Sequence, residues 1–267
     1  MSALAEDTAG ADILLRADAG GVATLTLNRP QARNALSLAM IAALQDQLDA
    51  LAADDTVRVV VIAANGPGFC AGHDLKEVIG NNCADANRDL MAKCARMMLT
   101  VTRLPKPVIA KVHGIATAAG CQLVASCDLA VAADSAKFAT PGVNIGLFCS
   151  TPMVPLSRAV GRKHAMEMLL TGNMISAARA AEIGLINKTV ADDQLDAAVA
   201  DLAGHIAGKS AYTLAIGKEA FYRQIELGLD EAYAYAGEVM VTNMGAQDAD
   251  EGITAFIEKR APHWKDA

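Results

Sequence analysis

No apolar run in the chain is long enough to cross a bilayer, which excludes a helical membrane span. Positive charge is also short. Lys and Arg number 23 against 30 Asp and Glu, a net charge of −7 at pH 7. That balance argues against non-specific binding to nucleic acid or to an anionic membrane, while leaving room for a local basic site. The six cysteines (Cys70, Cys83, Cys94, Cys121, Cys127, Cys149) include no C-x-x-C pair and no zinc spacing. The acidic opening MSALAEDTAGAD has neither an export pattern nor an Arg-rich transit pattern. Reduced thiols in a cytoplasmic protein are therefore expected. The five histidines are scattered, so no metal site is expected. Pro/Ser-rich linkers and internal repeats are missing too.

What is present is a core. The 267 residues are 53% hydrophobic and 20% charged, enough for one large domain or one domain with a small appendage. ILLRADAGGVATLTLN (13–28) reads as a hairpin turning at Gly20–Gly21. Residues 37–55 carry apolar positions at helical spacing behind a Ser37 N-cap. VRVVVIAA (57–64) suits a strand buried on both faces. Asp74 is placed to cap a helix, with Glu77 three residues on to return the bond. A helix over about 84–103, a strand at 107–112, a helix after it and a strand at 128–134 follow, and from about residue 150 the pattern is nearly all helical. The order predicts α/β layering with a helical C-terminal lobe.

Two small-residue loops leave buried strands at their carboxyl ends, where α/β sheets place ligands: GPGFCAGHDL (66–75) and HGIATAAGCQL (113–123). Neither contains G-x-G-x-x-G, which argues against a dinucleotide site. Each can aim one backbone N–H at a shared oxygen, which is the construction of an oxyanion hole.

With these residues the chain resembles the enoyl-CoA hydratase/isomerase (crotonase) family over essentially its whole length. The matching stretches are LNRPQARNALS (27–37), GFCAGHDLKE (68–77), KPVIAKVHGIATAAGCQLVASCDLAVAADSAKFATP (106–141), AVGRKHAMEMLLTG (159–172), AAEIGLINKTV (180–190) and EGITAFIEKRAPHWK (251–265). The resemblance implies repeated ββα units in a spiral core with its acyl-CoA site, here 1–200, and a C-terminal helical oligomerisation region, 201–267. It implies a homotrimer or a dimer of trimers. It also implies an acyl-CoA thioester substrate, with coenzyme A part of that substrate and no separate cofactor. The thioester oxygen is expected at the backbone N–H groups of His73 and Ala119. Coenzyme A contacts are expected from Arg33, Asn34, Ala35 and Leu36, from Ala71 and Asp74, and from Phe256 and Lys259 of a neighbouring subunit's last helix.

The departures bear on the reaction. Hydratases of this family use two glutamates; the first follows the cysteine of a G-G-G-C-E turn and the second the proline of Q-P-E. Here those positions hold Gln122 and Gly142. An amide cannot take a proton, and glycine has no side chain. Ala118 and Ala119 precede Gly120 where the turn usually has glycines; alanine is tolerated there as long as φ stays negative. His73 can titrate near neutrality, or its ring can hydrogen-bond within the turn. Asn144, Cys149, Ser150 and Thr151 follow the lost glutamate, the last two as expected caps of a helix. Three readings stand: a nominal hydratase working through a stabilised enolate; an enzyme that needs no carboxylate base, such as a decarboxylase; and a non-catalytic acyl-CoA binder.

Overall fold

Gly20 and Gly21 turn the chain back between β1 (Leu14–Ala19) and β2 (Val22–Leu27), the hairpin that the alternation predicts. The computed structural model describes residues 12–80 and 83–267; the acidic opening up to residue 11 lies outside the described residues. The Ser37 hydroxyl accepts from the Met40 N–H at 3.2 Å and starts α1 (Leu38–Ala52). Next come β3 (Val59–Ala64), α2 (Leu75–Gly80), α3 (Ala84–Arg103), β4 (Val108–Val112), β5 (Ile115–Thr117) and α4 (Ala119–Ser126). Then follow β6 (Leu129–Ala133), β7 (Lys137–Ala139), α5 (Met153–Ala159), α6 (Arg162–Thr171), β8 (Ile175–Ser176), α7 (Ala177–Glu182) and β9 (Lys188–Val190). The chain closes with α8 (Leu195–Ala207), α9 (Ala211–Gln224), α10 (Leu229–Met244) and α11 (Gln247–Glu258).

Six strands form one sheet in the order β1-β2-β3-β4-β6-β9, antiparallel only between β1 and β2. A second sheet pairs β5, β7 and β8. The repeating unit is a strand in each sheet and then helix, as in β4–β5–α4. All six residues of β3 are buried, because both faces are covered. Val60 and Ile62 belong to the core cluster that also holds Leu44, Leu48 and Met97 of α1 and α3, while Val59 and Val61 belong to a second one with Leu195, Val199 and Ala203 of α8. Helix α8 thus spans residue 200 and packs on the sheet.

The last third is nearly all helical, as expected, with two short strands added: β8 joins the small sheet, and β9 pairs with β6 at the edge of the large one. Two expectations change. Asp74 caps α2 by accepting from the Lys76 N–H at 3.1 Å, but Glu77 does not return the bond. Its carboxylate instead accepts from the Leu38 N–H at 2.9 Å and caps α1, while the Asp74 N–H donates to the Leu36 carbonyl. Helix α5 has Pro152 at its N-cap and no side-chain cap; the Ser150 hydroxyl donates to the Phe148 carbonyl.

Candidate active site

The two Gly-bearing loops meet. Loop 66–75 is zipped to β5 through Cys70, whose N–H donates to the Ile115 carbonyl at 3.1 Å and whose carbonyl accepts from Thr117 at 2.9 Å. Further along, Leu36 brackets His73: the Leu36 N–H donates to the Gly72 carbonyl at 2.7 Å, and the Asp74 N–H to the Leu36 carbonyl at 3.2 Å. In such a parallel bridge the residue between the two bonds turns its own N–H the other way. Among the described residues the His73 N–H has no partner. On the facing loop the Ala118 N–H donates to the Ala139 carbonyl and the Gln122 N–H to the Ala118 carbonyl, while Ala119, first residue of α4, has no acceptor for its N–H.

Close approach of the loops depends on two glycines. A Cβ on Gly120 would collide with the Cys70 carbonyl oxygen, and one on Gly72 would stand 3.3 Å from the Ala119 nitrogen. The expectation of negative φ fails at Ala118, which sits at φ 50, ψ −118, while Ala119 keeps an ordinary helical start. A non-glycine residue held there stores strain of about 1–3 kcal/mol.

Four fully buried side-chain polar atoms lack a partner among the described residues, and three belong here: His73 Nε2, Gln122 Oε1 and Thr140 Oγ1. Gln122 lies one helical turn from Ala119 on the same face of α4. Thr140 follows Ala139, the residue paired with Thr117, so it lies alongside Ala118. Unpartnered buried polar atoms concentrated in one place mark a site built for a missing partner. Thr140 carries no sequence signal of its own; only the pairing of β7 with β5 brings it here.

Among the described residues His73 Nε2 has no hydrogen-bond partner, against the expectation of a bond within the turn, and burial holds the ring's pKa below 6.5. Gly142 is buried, and the volume a side chain would use is taken: its Cβ would meet Cys149 Sγ and the Leu147 carbonyl oxygen, each at 2.9 Å. Burial pushes the Cys149 thiol up, so it stays protonated and offers no base. Asn144 and Ser150 are exposed on the same segment.

The proposed coenzyme A residues divide into two groups. Arg33 and Ala71 are exposed and adjacent, the Ala71 N–H donating to the Arg33 carbonyl at 3.1 Å. Asn34 is fully buried and spent on the fold: Oδ1 accepts from the Arg29 N–H at 2.8 Å, and Nδ2 donates to the Asn65 and Gly68 carbonyls, each at 2.9 Å. Both ends of its side chain are thus engaged by backbone groups. Leu36 and Ala35 are buried, and Asp74 pairs with Arg29 at 3.3 Å. Phe256 is 84% exposed and Lys259 caps the end of α11; the structure does not bring either to the other site residues. A concavity of about 740 Å³ between the end of α3 and α9 lies before β4 and therefore at the opposite end of the strands from the two loops.

A model of the enoyl-CoA hydratase/isomerase family matches residues 17–267. The chain is 48% identical over 244 residues to enoyl-CoA hydratase domain-containing protein 3, mitochondrial, of Rattus norvegicus, covering 91% of this chain and 81% of that protein. It superposes with TM-score 0.93 and 55% identity on the crystal structure of an enoyl-CoA hydratase from Mycobacterium smegmatis, covering 95% of this chain and 99% of that one. The human enoyl-CoA hydratase domain-containing protein 3 superposes with TM-score 0.92 at 45% identity, over 95% and 100% of the two chains.

Proposed function

Because this chain belongs to the enoyl-CoA hydratase/isomerase family, with a crotonase-type fold, we propose that it binds an acyl-CoA thioester and stabilises its enolate between the His73 and Ala119 N–H groups. The observation that carries this reading is the pair of unpartnered amides on loops in contact, one of them at the N-terminus of α4, where negative charge is favoured. Arg33 and Ala71 are the exposed residues beside them for coenzyme A. The subunits form a homotrimer or a dimer of trimers, in which Phe256 and Lys259 serve a neighbour's nucleotide. All six thiols are free, which fits a reducing compartment such as the cytoplasm.

A second reading concerns the reaction. Neither Gln122 nor Gly142 can move a proton, and Cys149 is held protonated. This favours chemistry in which the enolate forms without a carboxylate base. In a decarboxylation the bond from the α-carbon to the carboxylate breaks, CO2 leaves, the electron pair enters the thioester enolate, and water then protonates the α-carbon.

Calorimetry tests the thioester reading. Acetoacetyl-CoA is expected to bind more tightly than free CoA, because only the thioester offers a carbonyl oxygen; equal affinities would overturn the proposal. Incubation with enoyl-, malonyl- and 3-hydroxyacyl-CoA esters, followed by mass spectrometry, then separates hydration from loss of CO2, and a protein that binds but converts none is a binder.

A further inference from the structure

We propose that residues 260–267 form a clasp that fixes the roll of α11, making Trp264 and Asp266 positioning residues for the nucleotide contact that Phe256 and Lys259 make in a neighbouring subunit. The inference rests on the shared-site reading above and concerns how the donating helix is held. Lys259, at φ 56, turns the chain back at the end of α11: its N–H donates to the Phe256 carbonyl at 3.3 Å, and the Arg260 N–H donates to the Ala255 carbonyl at 3.0 Å. The segment then returns along the helix. Glu251 accepts from the Arg260 guanidinium at 2.6 Å and from the His263 N–H at 2.7 Å. Asp248, buried, accepts from the Lys265 and Asp266 N–H groups at 2.7 and 3.0 Å, and its own N–H donates to the Ala267 carbonyl at 3.1 Å. The Trp264 ring lies against Gly252, where a Cβ would stand 3.1 Å from it.

Asp248, Glu251, Gly252 and Ala255 share one face of α11 by their spacing, and the clasp lies along it. Ile253, Phe256 and Ile257 lie round the helix from that face and are exposed. Among the described residues, every hydrogen bond and ion pair that α11 makes beyond its own turns and the adjoining Ala246 goes to residues 260–267. The clasp in turn is fastened to the body of the molecule by two side chains. Trp264 Nε1 donates to the Gly208 carbonyl at 2.8 Å, and Asp266 accepts from the Ala211 N–H at 2.7 Å and from the Arg58 guanidinium at 2.5 and 3.0 Å. Gly208 and Ala211 join α8 to α9, and Arg58, which also donates to the Ala207 and Lys209 carbonyls, leads into β3. With both links cut, α11 keeps its packing and its chain connection through Ala246, but no polar tie to the sheet. A turn of the helix about its axis then moves Phe256 and Lys259 together.

Asp266→Ala/Trp264→Phe cuts both links while keeping a ring over Gly252. The probes are butyryl-CoA and butyryl-pantetheine, which lacks the nucleotide. In calorimetry the double variant is expected to bind butyryl-CoA about tenfold more weakly and butyryl-pantetheine as the wild type does, with the mass from light scattering unchanged. Phe256→Ala is expected to show the same split, and the clasp substitutions to cost little more on top of it, because both act through one contact. Asp266→Ala and Trp264→Phe singly, each leaving one link, are expected to lose part of the affinity in the same split, and they carry the test if the double variant does not fold. Undiminished butyryl-CoA affinity in the folded clasp variants, an equal loss for both probes, a fall in mass, or full additivity with Phe256→Ala overturns the clasp alone. A Phe256→Ala that binds butyryl-CoA as the wild type does overturns the shared nucleotide contact and the clasp with it.

Discussion

At Gly142 the absent side chain has left no hole, because Cys149 Sγ and the Leu147 carbonyl occupy the place. Gly142 does not have a positive φ, so restoring glutamate there meets a packing barrier rather than a backbone one. Gly142→Glu is expected to cost about 1–3 kcal/mol in urea unfolding, as overpacking usually does, with part recovered in Gly142→Glu/Cys149→Ala. Hydration of crotonyl-CoA by the wild type should be very slow, since general acid–base groups contribute ~10²–10⁴-fold each. Gln122→Glu, at a position already beside the free amides, is expected to raise it. A wild-type rate near ~10 s⁻¹, typical of enzymes, would refute this account and shift attention to His73. That residue has a separate signature. Its ordinary pKa of 6.5 is lowered by burial in the native state, so the unfolded chain takes up the proton first as pH falls. Its stabilising effect is complete above pH 6.5 and declines as pH drops toward the native value. Thermal midpoints should consequently fall less steeply below pH 6.5 in His73→Gln than in the wild type; parallel curves would contradict this.

Among the elements, α9 depends on one buried anchor. Lys218 Nζ donates to the Val101 and Lys106 carbonyls and to Asp128 at 2.6 Å, and Asp128 also accepts from Tyr222 at 2.9 Å and from the Val108 N–H at 2.7 Å. The Lys218 and Asp128 side chains are only 8% and 17% exposed. Burial lowers the Lys218 pKa even against the pull of Asp128, yet every donor has a partner. Lys218→Met strands a buried carboxylate and is expected to cost about 3–5 kcal/mol, read from urea denaturation; a change under ~1 kcal/mol, the worth of an exposed pair, would show that α9 is held otherwise. Elements of this size were legible in advance. Residues 84–103 match α3 to the residue, because its apolar positions keep helical spacing over several turns. The short strands β5, β7 and β9 were not, since three residues carry no readable period.

Over the whole molecule, the C-terminal helices are unfinished as a single chain. No hydrophobic residue of α9 or α10 is buried in the core, and Leu229, Tyr233, Met240, Val241 and Met244 all expose apolar surface on α10. An apolar face of this extent calls for a partner surface. Light scattering is expected to report a trimer or a multiple of it, and Val241→Lys/Met244→Lys to lower the mass. A stable monomer that binds acyl-CoA as tightly as the native assembly would refute a site shared between subunits.

Residue identity alone determined the chemistry that is unavailable: an amide at Gln122 and a bare Gly142 cannot transfer protons in any fold. It also determined the two turns and most long elements, because spacing and small residues act locally. Which amides are free was decided only in three dimensions. The His73 N–H is released because Leu36, far back in the chain, takes the bonds on either side of it, and the Ala119 N–H because β7 holds Ala118. Asn34 shows the same division: its place in the RNAL turn suggested a ligand contact, but packing surrounds it with three backbone partners. Hydrogen bonds between distant segments compete for each donor, and no local pattern records which one wins.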